Sequence, residues 1–429
     1  MKRTLLIILA LTACAVMPAA TRAGQAPSPG RPRTATQRLA ERNDAEGPLA
    51  QSIWGFCAVN MKGDTLVWLN PERRMVPASN MKLITTGAAL LRLGGAYRYH
   101  TTLATDGSVQ DSVLTGNLYL IGGGDPLIGN LFSYLPKPEQ TFGKWTKVLT
   151  DTGIREIQGD IAGDGGWFRG ELTHTDWSTE DIRTRDGVVP SGLTWRGKMG
   201  DTIPDGPYPA ALHYLEWLRA DSTITVHGTA VEGHADSLTV LGDLPSLPLR
   251  DIAGIANRQS DNFIAETLLK TLGKSYYGDD SYARSLDALR RALSPLGLMG
   301  ASGGMRFADG SGLSRKNYIS PSFMVSYLRA MARSKAWKDF LASLPFPGER
   351  RTTLEKRLPG RPYELRHRIR MKSGSMNGVR CFSGYIIPGD GSAQGIIAFS
   401  LLTNNAVASS AQVYPILDEM IESLAHENE

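Results

Sequence analysis

The chain has 429 residues, 41% of them hydrophobic and 21% charged, with 46 Gly and 24 Pro, which suits a globular protein of two or three domains around a large buried core. Its net charge of +5 comes without a long Lys/Arg run or a basic helix, so nucleic acid is a poor match for it. At most a weak attraction to an anionic polymer is implied.

Met1, Lys2 and Arg3 precede the apolar run Leu5 to Leu11, and small residues follow through Ala20 and Ala23. This is the layout of an export signal over residues 1–23, too short for a comfortable membrane span of about 20 apolar residues. Leu11-Thr12-Ala13-Cys14 resembles a lipobox, in which cleavage precedes a cysteine that then carries lipid. Lipid attachment at Cys14, with the membrane association it brings, and ordinary signal cleavage stand as equal alternatives. Residues 24–40 open with a Pro/Gly-rich stretch, Gly24 to Pro32, that reads as a flexible tether. Removal of the segment ahead of Thr36 is expected.

Residues 41–100 begin with a hairpin: two β-rich runs, Ser52 to Asn60 and Thr65 to Leu69, meet at a turn containing Gly63-Asp64. Helical spacing then runs from Ser79 to Leu93 and stops at Gly94-Gly95. Residues 101–246 switch to short β-like stretches among Gly, Asp and Thr, such as Asn117 to Ile121 and Thr223 to His227. They read as an inserted, mostly β region. From 247 to 429 helical patterns return at Phe263 to Leu272, Tyr282 to Leu293 and Pro321 to Met331. Three strands follow, ending at Lys372, spanning Val379 to Ile387 and spanning Ile396 to Leu402, and then an amphipathic helix from Ser410 to Ala425. Strands from both ends of the chain thus complete one antiparallel sheet flanked by helices, an α+β fold. Cys57 and Cys381 both fall in apolar strand segments; two separate buried thiols are the favoured reading, one disulfide the alternative.

Three short motifs carry the chemistry. Ser79-Asn80-Met81-Lys82 puts a hydroxyl and an amine three residues apart, on one face of a helix start. A neutral amine there can take the hydroxyl proton and make the serine a nucleophile, provided its pKa is driven below the usual ~10.4 by burial or a nearby cation. The plainer reading is a capping Ser beside a surface Lys. Ser260-Asp261-Asn262 offers a proton-relaying hydroxyl and an amide for a substrate carbonyl, or simply an N-cap. Lys372-Ser373-Gly374, followed by Ser375, offers a cation and a hydroxyl for a substrate carboxylate, with a Gly that permits close approach. Lys372 also supplies like charge to lower the pKa of Lys82. The plainer reading is an edge-strand Lys and a polar turn.

In this order the three motifs follow the pattern of penicillin-binding proteins and class A β-lactamases. From about Ser52 to Ala425 the chain resembles the penicillin-binding protein 4 type of D-alanyl-D-alanine carboxypeptidase/endopeptidase, peptidase family S13. Pro77 to Leu83, Gly116 to Pro126 and Asp309 to Ser314 are all similar to stretches of that family, and the long interval between Lys82 and Ser260 leaves room for its inserted domains. The resemblance implies a penicillin-binding/serine β-lactamase-like fold and an acyl-enzyme on Ser79. Lys82 becomes the general base, Ser260 a proton relay and Asn262 a ligand of the substrate amide. Lys372 and Ser373 become the carboxylate clamp, and the backbone N–H groups of Ser79 and Ser375 the oxyanion hole. It implies peptidoglycan peptides ending in D-Ala-D-Ala and β-lactams as binding partners, an exported location and no cofactor. Ser373 replaces the Thr usual at that position and keeps the hydroxyl.

A β-lactamase shares the motifs, but the chain has no Glu-x-x-Leu-Asn segment of the class A kind and carries the long insertion. A non-catalytic wall-binding or penicillin-sensing protein has no need of a nucleophile and its base. Gly122-Gly123-Gly124-Asp125 lacks the ending of a phosphate loop and reads as a turn beside the cleft. The seven His residues show no metal-like spacing, so no metal is expected. Asp309 to Gly312 reads as a fold-shaping loop without chemistry.

Overall fold

The computed structural model describes residues 32–129, 132–171, 173–184, 187, 190–196, 206–298 and 305–427. The expected signal segment and Cys14 lie outside these. No described helix is long and apolar enough to cross a membrane.

A five-stranded antiparallel sheet joins the two ends of the chain. Its order is Ile369–Met376, Val379–Ile386, Ile397–Asn404, Ile53–Asn60 and Thr65–Leu69, with Ile53 facing Asn404 and Asn60 facing Ile397. The hairpin turn forms where expected: the Asn60 side-chain oxygen accepts from the Gly63 and Asp64 amides, and Gly63 holds φ at 108°, a conformation that favours glycine. Because side chains alternate across a strand, Trp54, Phe56 and Ala58 enter one core and Cys57 and Val59 the other. The first core lies under the helices Ala35–Ala45 and Ser410–His426. The second is built with the helices Met81–Leu93, Leu249–Gln259, Asn262–Tyr277, Tyr282–Leu293 and Pro321–Met331. The α+β arrangement expected from the sequence, one antiparallel sheet flanked by helices, is therefore present. Cys57 and Cys381 are separate buried thiols.

Three expectations need correction. The tether does not extend to residue 40, because Thr34 caps a helix from Ala35 to Ala45 whose polar sequence conceals its docking. Thr36 meets Ser423 at 2.9 Å and Ala40 is fully buried, so this helix is part of the sheet-and-helix body. Nor does the strand carrying the third motif end at Lys372. It continues to Met376, since Ser373, Gly374 and Ser375 pair with Phe382, Cys381 and Arg380, and cross-strand pairing overrides the weak strand preference of Gly and Ser.

The third concerns residues 101–246, which are mixed rather than mostly β. One sheet has the order Ala230–Glu232, Ile161–Asp164, Leu118–Gly122, His100–Thr105 and Thr239–Pro245, and a smaller one joins Ser108–Gln110, Val113–Thr115, Glu156–Ile157 and Thr225–Val226. Two helices, Pro138–Asp151 and Pro207–Asp221, complete their shared core through Phe142, Trp145, Leu149, Tyr214 and Leu218. Several of these are aromatic residues, which suit strands equally well, and this masked the helical spacing. The two crossings into the region run side by side: Leu249 N–H donates to Tyr97 O at 2.8 Å and Arg250 N–H to Gly95 O at 3.0 Å.

Candidate functional site

Ser79 sits in a one-turn 3₁₀ segment, Ala78–Asn80, that leads into the helix Met81–Leu93. Ala78 holds φ at 45°, a left-handed conformation uncommon for a residue with a side chain. Packing enforces it. A Cβ on Gly312 would lie 1.9 Å from Ala78 O, and one on Gly374 would lie 2.7 Å from Pro77 O. The turn is thus wedged between the loop at Asp309 to Ser314 and the strand Ile369–Met376, and Asn80 Nδ2 donates to Lys372 O at 3.1 Å. Gly374 thus makes a close approach to this turn.

One helical turn on, the fully buried Lys82 places Nζ 3.0 Å from Ser79 Oγ, 2.6 Å from Asn262 Oδ1 and 2.7 Å from Ser311 O. Lys372, also fully buried, donates to Ser260 Oγ at 2.9 Å and to Ser373 O at 2.6 Å. Burial, and after it the charge on Lys82, holds the Lys372 amine well below the ordinary lysine range. The sequence expected a like-charge effect of Lys372 on Lys82; the effect the structure shows is on Lys372.

Ser260 is the C-cap of Leu249–Gln259, with φ 59° and ψ 38°, so the chain turns sharply and begins a new helix at Asn262. The N-cap role belongs to Asp261, which accepts from the Ile264 amide at 3.0 Å. Its other oxygen accepts from Arg196 Nη2 at 2.9 Å and Tyr134 OH at 2.7 Å. Ser373 Oγ donates to Thr353 Oγ1 at 2.7 Å. Ser79, Ser260, Ser373 and Ser375 line one cavity of about 180 Å³ together with Thr353 and Arg357.

The structure therefore brings all eight sequence-expected residues to one place. Sequence reasoning missed Ser311, whose contribution is a backbone carbonyl, as well as Thr353, Arg196 and Tyr134, which reach the site from distant segments. The Asp309 to Gly312 loop, read as purely structural, touches Lys82 directly. Among the described residues no group of His, Cys, Asp and Glu could hold a metal ion.

The family model for D-Ala-D-Ala carboxypeptidase 3 (S13) matches residues 35–202 and 210–426. The chain belongs to the S13 family. This S13 chain is 27% identical over 430 residues to a D-alanyl-D-alanine carboxypeptidase of Actinomadura sp. (strain R39), covering 80% of the chain and 76% of the relative. It is 24% identical over 423 residues to the D-alanyl-D-alanine carboxypeptidase DacB of Haemophilus influenzae, covering 80% and 84%. Its fold matches the crystal structure of penicillin binding protein 4 (dacB) from Haemophilus influenzae with a TM-score of 0.75 and 20% identity, over 92% of this chain and 99% of that one.

Proposed function

We propose that this S13 protein is an exported serine-type D-alanyl-D-alanine carboxypeptidase, with endopeptidase action on cross-links open to the same chemistry, and that Ser79 is acylated by peptidoglycan stem peptides and by β-lactams. The observation that carries the reading is the placing of Asn262, Ser311 and Ser79 around Lys82 Nζ. A neutral amine has two N–H donors and one lone pair. Asn262 Oδ1 and Ser311 O accept the two donors, which turns the lone pair toward the Ser79 hydroxyl 3.0 Å away. Lys82 then acts as general base.

In this reading the peptide runs through the cavity with its terminal carboxylate at Ser373, beside the Lys372 amine. Ser79 Oγ attacks the D-Ala carbonyl while its proton passes to Lys82. The backbone N–H groups of Ser79 and Ser375 receive the developing oxyanion, and Asn262 Nδ2 holds the substrate amide. The proton taken up by Lys82 passes by way of Ser260, itself bonded to Lys372, to the departing amine, which leaves Lys82 neutral again. Water then attacks the acyl ester on the same base, releasing the shortened peptide and restoring Ser79. Similarity to carboxypeptidases named for D-Ala-D-Ala supports the substrate class.

The test is D-Ala release from a peptide ending in D-Ala-D-Ala. The wild type is expected to release it and Lys82→Ala to be slower by ~10²- to 10⁴-fold, the usual worth of a general base. Release by Lys82→Ala at the wild-type rate would contradict this assignment.

A further inference from the structure

Helix Asn262–Tyr277 carries a second group that bears on the reaction without lining the cavity. Glu266 lies one turn beyond Asn262 and is fully buried. Its Oε1 accepts from the Ser311 amide at 2.7 Å and from the Gly310 amide at 3.0 Å, and Oε2 lies 3.2 Å from the Gly310 amide. Ser311 is the residue whose carbonyl accepts from Lys82 Nζ at 2.7 Å. We infer that Glu266 is a positioning residue for the base: by holding the Gly310 and Ser311 amides it fixes the Ser311 carbonyl, and that carbonyl aims the Lys82 lone pair at Ser79. The inference rests on the reading of Lys82 as the base.

Other bonds brace the loop, but among the described contacts those of Glu266 fall on the Gly310 and Ser311 amides. Thr85 Oγ1 donates to Gly310 O at 2.7 Å, while Asp309 is occupied in accepting from Gly312, Ser314, Asn317 and Trp177. Space is tight, since a Cβ on Gly310 would meet Ala265 O at 2.9 Å. The loop thus rests against the helix, and the Glu266 carboxyl sets its height above Lys82. Burial, and then the neighbouring Asp309 carboxylate, raise the Glu266 pKa above the usual range. A neutral carboxyl needs only one accepting oxygen here, and Oε1 already receives the closest contacts to both amides. An amide side chain can reproduce that oxygen. A thioether cannot.

Glu266→Gln and Glu266→Met separate positioning from bulk stability. Each is compared with the wild type for the rate of fluorescent-penicillin acylation per titrated active site, the affinity of the pre-covalent complex, and Tm. Displacing a reacting group by about 1 Å can cost ~10²-fold, so Glu266→Met is expected to lose up to about that factor in the per-site acylation rate, with the pre-covalent affinity retained. Glu266→Gln is expected to restore most of it. Should Glu266→Met not fold, Glu266→Asp draws the carboxyl back by one methylene and is likewise expected to slow acylation per site. A wild-type per-site rate in the Met or Asp variant, or a Gln variant as slow as Met, would overturn the inference while leaving the role of Ser79 standing. Wild-type protein that takes up no penicillin would remove both.

Discussion

Arg196, from the region inserted between the first and second motifs, lies 2.9 Å from Asp261, the middle residue of the second motif, with both side chains almost fully buried. Arg196 also spans Phe263, its guanidinium carbon 4.7 Å from the ring centre, and donates to Pro126 O at 3.4 Å. The inserted region thereby holds the turn that presents Ser260 and Asn262.

Removing one partner of a buried ion pair leaves an uncompensated charge, so Arg196→Met is expected to destabilise the protein by about 3–5 kcal/mol, and Tyr134→Phe by about 1–2 kcal/mol. Denaturant unfolding measures both. Burial alone would raise the Asp261 pKa; Arg196, the Ile264 amide and Tyr134 together outweigh it and hold the carboxyl below its usual range. Its stabilising contribution is therefore present above the unfolded value of about 3.9 and lost as pH falls through the lower folded value. The gap between wild type and Arg196→Met should narrow in that acid window; a gap unchanged by acid would contradict the pairing.

Ser260 occupies a left-handed C-cap, where a side chain costs roughly 1–2 kcal/mol that glycine avoids. Ser260→Gly is expected to be more stable than Ser260→Ala by about 1 kcal/mol, although both lose the relay hydroxyl and both release D-Ala slowly. Equal melting temperatures for the two variants would show that the turn is not strained.

The sequence disclosed the site more completely than the fold around it. Ser79, Lys82, Ser260, Asn262 and Lys372 were legible because the chemistry demands particular side chains at fixed short spacings. The central sheet was legible from alternating apolar runs at both ends. Ser311 was obscure for a physical reason: a backbone carbonyl acts through tertiary position, which no local spacing encodes. Gly374 was legible as a site of close approach, but the turn at Pro77 that its missing Cβ admits was not. Arg196 and Tyr134 lie far from Asp261 along the chain. The helix Ala35–Ala45 is largely polar, and Ala40 is buried in a core shared with a helix at the opposite terminus.

Lys372 illustrates a conflict between stability and chemistry. Its pKa is depressed on folding, so between that lowered value and the unfolded value of about 10.4 the unfolded chain binds more protons, and stability rises with pH across this window. Burying an amine costs free energy that an apolar side chain of similar size does not incur. Lys372→Met is expected to raise Tm at neutral pH, by a margin that shrinks toward pH 10, while weakening penicillin acylation. A lower Tm at neutral pH would show that the bonds to Ser260 and Ser373 outweigh the cost of burial.

The central claim is that one hydroxyl, that of Ser79, forms the covalent intermediate. The most direct measurement is intact mass after exposure to a penicillin, followed by proteolytic mapping, in the wild type and in Ser79→Ala. The account expects a single adduct on the peptide containing Ser79 in the wild type and none in Ser79→Ala, whose fold is unchanged. An adduct that persists in Ser79→Ala, or one that maps to Ser260 or Ser373, would contradict it.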